Sequence, residues 1–393
     1  MHRIKKLRHI ILLLFLSILL TVNAMPSEKK LYGVNPITNN GKKWRIGYYE
    51  GGDFSNYYNY LSSIVYGLMD LGWIEHSQIP QPQISEAKSL WHWLSTEMNS
   101  NYLEFVQDAF YSNNWNKDQR EIIQEQIINR LNQKKDLDIM LAMGTWAGKD
   151  LANNRHHTNT MVISTSDPVG AGIIISPEDS GYDHIHARVD PYRYESQLRA
   201  FHDVIKFKKL GVSYEDSLEG KSYAAINSIK KIAAERHFKI VTCNTQTDIT
   251  DVTKASQSVI NCFRELAPKV DAIYVTVQTG VNYQSIPELV RITNENKIPT
   301  FSQFGSEEVQ YGFLLSLSRA GGFKPEGRFL AATFAQICNG AKPRELNQIF
   351  KESSNIAINL KTAETIGIYL YADLLVSADE IFRYIKIPEK KKD

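Results

Sequence analysis

The feature that most restricts this chain is a regular alternation of short apolar runs with longer amphipathic ones. WRIGYY (44–49) predicts a strand, and over 54–71 Tyr57, Leu61, Ile64, Val65, Leu68 and Leu71 recur at helical spacing. LEFVQDAF (103–110) predicts the next strand, 117–132 a charged amphipathic helix, LDIMLAM (137–143) a buried strand, 146–153 a helix and TMVIST (160–165) another strand. After a loop at 176–190 the pattern resumes, with helices at 192–205, 219–236, 250–266 and 285–295. They alternate with strands at 209–214, 239–245, 271–277 and 298–303. Such alternation predicts parallel sheets joined by right-handed crossovers. Two runs predict an α/β chain of two doubly wound parallel-sheet lobes. The segment 74–101 fits neither run and reads as an insertion with a short helix near 87–98.

The first residues carry Arg3, Lys5, Lys6 and Arg8 with no acid, then an apolar stretch from Ile10 to Leu20 and Val22-Asn23-Ala24. A basic start, a short apolar core and a small residue at the exit are the parts of a secretory signal, with cleavage expected after Ala24. The apolar run is shorter than the ~20 residues of a spanning helix. Residues 25–43 are polar and read as a flexible leader. Removing 1–24 takes the formal charge from +2 to −2, so no basic face for nucleic acid is expected. Cys243, Cys262 and Cys338 are widely spaced; one disulfide is open to them, but three small buried apolar residues is the favoured reading.

Ligands of open parallel sheets sit beyond the carboxyl ends of the strands. That rule selects Tyr49, Glu50 and Gly51, then Gly144 and Thr145, then 164–167 with Ser166 and Asp167. In the second run it selects Tyr214, Glu215, Gln278, Thr279, Ser302 and Gln303. Gly144-Thr145 opens a helix whose free N–H groups attract an anion such as a carboxylate; Thr145 caps it, contacts the ligand, or does both. Asp167, held extended before Pro168, pairs with a ligand ammonium or bonds its own loop amides, and the second is favoured. Glu50, Glu307 and Glu308 are alternative counter-ions. One of Tyr57, Tyr58 and Tyr60 can stack on a ligand, with core packing the default.

No G-x-S-x-G elbow, H-E-x-x-H pair or phosphate-binding G-x-x-x-x-G-K-[ST] loop is present. The strand-end groups form no nucleophile–base–orienter set, so catalysis is not expected, nor is a cofactor or a metal. His156 and His157 read as a solvated loop rather than metal ligands.

Several stretches are together similar to one family, the extracytoplasmic solute-binding proteins of ABC transporters of the tryptophan type. They are IGYYEGGDFSNYYNYLSSIVYGLMDLGW (46–73), DLDIMLAMGTWAGKDLA (136–152), STSDPVGAGII (164–174), KLGVSYEDSLEG (209–220), KVDAIYVTVQTGV (269–281), NKIPTFSQFGSEEVQYG (296–312) and INLKTAETIGI (358–368). The resemblance implies a periplasmic-binding-protein type I fold with three crossings between lobes at 44–187 plus 312–350 and at 188–311 plus 351–393. It places Gly144, Thr145, Ser166, Asp167, Gln278 and Glu308 at the cleft. It also implies a monomer that captures a small molecule, an amino acid or related compound, and delivers it to a permease with ATPase subunits. A receptor presenting its closed form to a signalling partner is the alternative. The sequence departs from the family at TVQTGVN (276–282) and LLSLSRAGG (314–322).

Overall fold

The computed structural model describes residues 31–80, 86–351 and 353–387. The expected export signal and most of the expected leader lie outside the described residues. Residues 34–393 make up one compact unit. Among the described residues, no helix is long and apolar enough to cross a membrane.

WRIGYYE folds as β1 (Trp44–Glu50), buried from Ile46 onward. It pairs in parallel with β2 (Leu103–Ser112) and β3 (Ile139–Met143), and β4 (Asn159–Ile163) and β5 (Ile185–Ala187) extend the sheet in the order β2-β1-β3-β4-β5. Both faces are covered, which is why the central strands read as continuous apolar runs. The helices on this sheet include α1 (Ser55–Asp70), α2 (Ala87–Thr96), α3 (Lys117–Asn129) and α4 (Gly144–Leu151). Strand β5 falls inside the stretch expected to be loop; at three residues it is too short to show a period. The insertion is core rather than appendage. Trp91 of α2 is buried 5.5 Å from the Tyr48 ring and 5.4 Å from Phe105.

The second sheet holds β6 (Lys209–Tyr214), β7 (Lys239–Asn244), β8 (Ala272–Val275), β9 (Thr300–Ser302), β10 (Leu315–Arg319), β11 (Ser354–Asn359) and β12 (Glu380–Phe382). Their order is β12-β11-β10-β9-β8-β6-β7, parallel except where β10 meets β11. Its helices are α5 (Arg193–Ile205), α6 (Leu218–Tyr223), α7 (Ile226–Arg236), α8 (Val252–Leu266), α9 (Ile286–Glu295) and α10 (Ser306–Gln310). The expected helix 219–236 is broken at Ala225, whose φ is 51°.

Next comes α11 (Lys324–Cys338), then α12 (Leu360–Ile366) and α13 (Ala372–Ser377). Helix α11 returns to the first sheet: Leu330, Ala331 and Phe334 share a core with Leu61, Ile64 and Leu68 of α1. The two helices touch closely, because a Cβ on Gly327 would lie 2.5 Å from the Ser63 carbonyl oxygen. The span 312–350 therefore divides, and the boundary expected at 312 moves. Leu315–Arg319 is the interior strand β10 of the second sheet, and the part of the span from α11 onward lies with the first. The chain crosses between the lobes after β5, between Arg319 and Lys324, and again near 350, where Val189 and Ile349 form a parallel bridge.

Cys243 and Cys262 are joined as a disulfide between β7 and α8, and Cys338 is a buried free thiol. The favoured reading of three unpaired cysteines is corrected here: a strand end and the facing turn of the next helix bring the pair to a Cα separation of 5.5 Å.

Candidate ligand-binding cleft

Where β3 ends, the chain turns into α4 through Gly144 at φ 83°, and the Tyr57 hydroxyl occupies the place a Cβ would take. Beside it, β4 gives way to Ser164, which holds a left-handed φ of 61°, a strained conformation for a non-glycine residue. That turn carries Thr165, whose buried hydroxyl makes no hydrogen bond among the described residues.

The facing wall comes from the second lobe. Gln278 is held by its own sheet: its amide accepts from the Thr245 hydroxyl at 2.7 Å and donates to the Ser213 carbonyl at 3.0 Å. Gln303 accepts from Val277 N at 2.9 Å and donates to the Tyr223 carbonyl at 2.7 Å. That carbonyl lies just before the helix break at Ala225. Thr279 N donates to the Thr247 hydroxyl at 2.9 Å. Asp248 accepts from Trp146 Nε1 at 2.7 Å and from the Tyr223 hydroxyl at 2.9 Å. Burial pushes its carboxyl up to about 7, against the pull of those two donors.

At the crossings, Arg188 pairs with Glu326 at 2.5 Å in a buried ion pair. Arg319 donates to the Tyr60 hydroxyl at 2.8 Å and lies 4.3 Å over the Phe323 ring. Arg188, Arg319 and Tyr60, with Arg193, Tyr194 and the rings of Phe54, Tyr57, Trp115 and Phe304, line a cavity between the two walls. The two lobes also touch at its rim. Lys117 meets Glu215 at 2.8 Å, and Glu219 takes Arg120 at 3.0 Å and Lys149 at 3.3 Å.

Of the residues selected from strand ends, Thr145, Ser164, Thr165, Ser166, Gln278, Thr279 and Gln303 line this cavity. The others do not. Tyr49 points into the first lobe, donating to Asp150 at 2.6 Å and accepting from Asn113 at 2.8 Å. Glu50 is sealed there by donors from Tyr48 at 2.8 Å and Ser112 at 3.0 Å, and burial lifts it to about 7. Gly144 is a conformational position beneath Tyr57. Asp167 caps its own loop through Gly170 N at 2.7 Å, while its carbonyl accepts from Ser222 of the opposite lobe at 3.0 Å. Ser302 donates to Glu308 at 2.6 Å inside the second lobe, and burial raises Glu308 to about 8. Gly51, Tyr214 and Glu215 are also absent from the lining, although Glu215 holds the loop above it, accepting from Thr247 N at 2.8 Å and Asp248 N at 3.2 Å. His156 is not solvated: it is buried with its ring 4.8 Å from that of His184.

The arginines and Asp248 escape the sequence reading. Arg188 and Arg319 stand at the carboxyl ends of β5 and β10, two strands the sequence reading did not include, and Arg193 opens α5. Asp248 lies just past strand 239–245, whose carboxyl end the strand-end rule would have named.

Two lobes joined by three crossings, with a cavity walled by both and ion pairs across its rim, define a hinged solute receptor. The chain belongs to the ABC transporter substrate-binding protein family, whose model matches residues 99–382. Among solved structures it is similar to a conserved domain protein from Vibrio cholerae at TM-score 0.65 and 19% identity, covering 86% of this chain and 100% of that one. An ABC domain in complex with L-Trp from Streptococcus pneumonia gives TM-score 0.65 at 17% identity, covering 87% and 100%. A ligand-free, open substrate-binding protein with adhesive properties from Clostridium difficile gives 0.56 at 19% identity, covering 86% and 99%. At these identities the likeness shows the shared fold. No curated protein matches the sequence.

Proposed function

We propose that this protein is an extracytoplasmic receptor, released by cleavage after Ala24. In this reading it captures a small solute of the amino-acid or related class and delivers it, chemically unchanged, to a permease and its ATPase subunits. The observation that carries the reading is a cavity to which both lobes contribute polar and aromatic groups. A solute touching both walls favours the closed form through contacts that the open form lacks. Thr145, Ser166, Gln278 and Thr279 are its proposed polar contacts, with Thr165 offering its hydroxyl and Phe54, Tyr57 and Trp115 the apolar wall. The solute-bound protein acts as a monomer.

A thermal-shift screen of residues 25–393 against amino acids, nucleosides, vitamins and sugars tests this. A solute that binds only the folded state raises the melting temperature with concentration. Thr145→Ala should then weaken that solute by roughly 1 kcal/mol, the worth of one hydrogen bond. Conversion of the solute during incubation, seen by mass spectrometry, would refute the non-catalytic role.

A further inference from the structure

The strands of the second lobe have two ends, and the cleft uses only the carboxyl ends, through Thr247, Gln278 and Gln303. At the amino ends, the residues that open or precede β6, β7, β8 and β9 include Lys206, Lys208, Lys209, Lys239, Lys269 and Lys297, all exposed. Strands β6 and β7 start in register, so Lys209 stands beside Lys239, and Lys239 N donates to the Lys208 carbonyl at 2.8 Å. Neighbouring strands lie about 4.8 Å apart, and like charges held that close repel. The acids nearby are engaged. Asp203 is shared by Lys206 at 3.4 Å and Arg236 at 3.1 Å, and Glu265 takes Lys269 at 2.9 Å. Glu235 and Glu295 are held by Arg199 and Arg291. Asp271 accepts from the backbone N–H groups of Lys208 and Lys209, at 2.9 and 2.8 Å. Lys208, Lys209, Lys239 and Lys297 make no ion pair among the described residues. The formal charge of −2 for residues 25–393 hides this local excess.

We propose that this lysine rim is a docking face for an anionic phospholipid bilayer, on which the second lobe rests by the end opposite its cleft. The composition favours a lipid surface over a protein. Protein interfaces are enriched in aromatic residues and arginine and depleted in lysine, whereas none of the exposed large apolar side chains lies on these rim segments. Lysines act as separate point charges rather than as forks for one phosphate, which suits a field of headgroups. With no apolar side chain to insert, the contact is electrostatic and reversible, and solute capture goes on beside the membrane.

Co-sedimentation of residues 25–393 with lipid vesicles tests this; residues 1–24 are left out because their apolar run would itself enter a bilayer. At about 20 mM salt the protein pellets with vesicles of phosphatidylglycerol and phosphatidylcholine, stays in solution with phosphatidylcholine alone, and is released by about 0.5 M salt. Each lysine near the surface is worth roughly fivefold in partition. Lys208→Gln, Lys209→Gln and Lys239→Gln together therefore weaken binding at least about tenfold, with a melting temperature close to wild type. Lys390→Gln, Lys391→Gln and Lys392→Gln, in a second lysine cluster of the sequence, weaken it less. Should the rim variant fail to fold, Lys208→Gln alone is read, at roughly fivefold. Equal binding to both kinds of vesicle, an unchanged partition of the rim variant, or a larger loss in the second cluster's variant overturns the proposal. Retention on heparin without binding to vesicles also overturns it, by making the partner a soluble polyanion.

Discussion

Trp146 of the first lobe donates its indole N–H to the Asp248 carboxylate of the second across the cleft, at 2.7 Å. The bond is buried on both sides, and Arg120 lies 4.6 Å over the same indole ring. A carboxyl with a folded-state pKa of about 7, above its unfolded value, holds its proton more tightly when folded. Its contribution to stability therefore falls as pH rises from the ordinary carboxylate range to about 7, and levels off beyond. Asp248→Asn should gain in melting temperature relative to wild type between about pH 5 and pH 7 and hold that gain above about pH 8. A difference between the two that does not vary with pH would show that Asp248 titrates normally.

How much of this is legible in the sequence depends on position. Strands β1, β3 and β6 are apolar runs bounded by clear turns, so their ends, and with them Thr145, can be located; the same holds for β4 and Ser166. Strands β10, β11 and β12 carry polar residues such as Ser316, Ser318 and Asn355, so no apolar run announces them. Tyr49 and Glu50 stand at a strand end yet both are buried, one on each face, because the sheet is covered on both sides and the sequence does not show that cover. Arg188 and Arg319 stand at the ends of unannounced strands, β5 and β10.

The rim ion pairs should hold the lobes together before any solute arrives. Lys117–Glu215, Arg120–Glu219 and Lys149–Glu219 are partly exposed, each worth up to about 1 kcal/mol and sensitive to salt. Glu219→Lys should raise the radius of gyration of the ligand-free protein in small-angle scattering, as should about 0.5 M salt on the wild type. An unchanged radius in both would mean that the pairs play no part in closure.

The Cys243–Cys262 disulfide brackets the loop that carries Thr247 and Asp248. Closing a loop of this size stabilises the fold by about 3 kcal/mol. Reductant, or Cys243→Ser with Cys262→Ser, should lower the melting temperature clearly. It should also weaken solute binding more than Cys338→Ala does. Thiol titration of the native protein should find no reactive group, and after denaturation without reductant it should find one.

Gly144 has both a left-handed backbone and a hydroxyl where its Cβ would be. Gly144→Ala should cost about 2 kcal/mol or more in urea unfolding, and Tyr57→Phe should restore part of it by removing the hydroxyl. Additive losses in the double variant would place the whole cost in the backbone.

The first lobe's core is closed by α11, which is made long after the strands it covers. Until Leu330 and Phe334 arrive, Leu61, Ile64 and Leu68 have no partner on that face. A chain ending at Ala320 should accordingly be cut by protease throughout its first lobe, even though all five strands of that sheet are present. Emerging N-terminus first from a ribosome, the protein cannot complete this lobe until nearly all of its length is out. The order of elements along the chain thus postpones folding of the first lobe until late in synthesis.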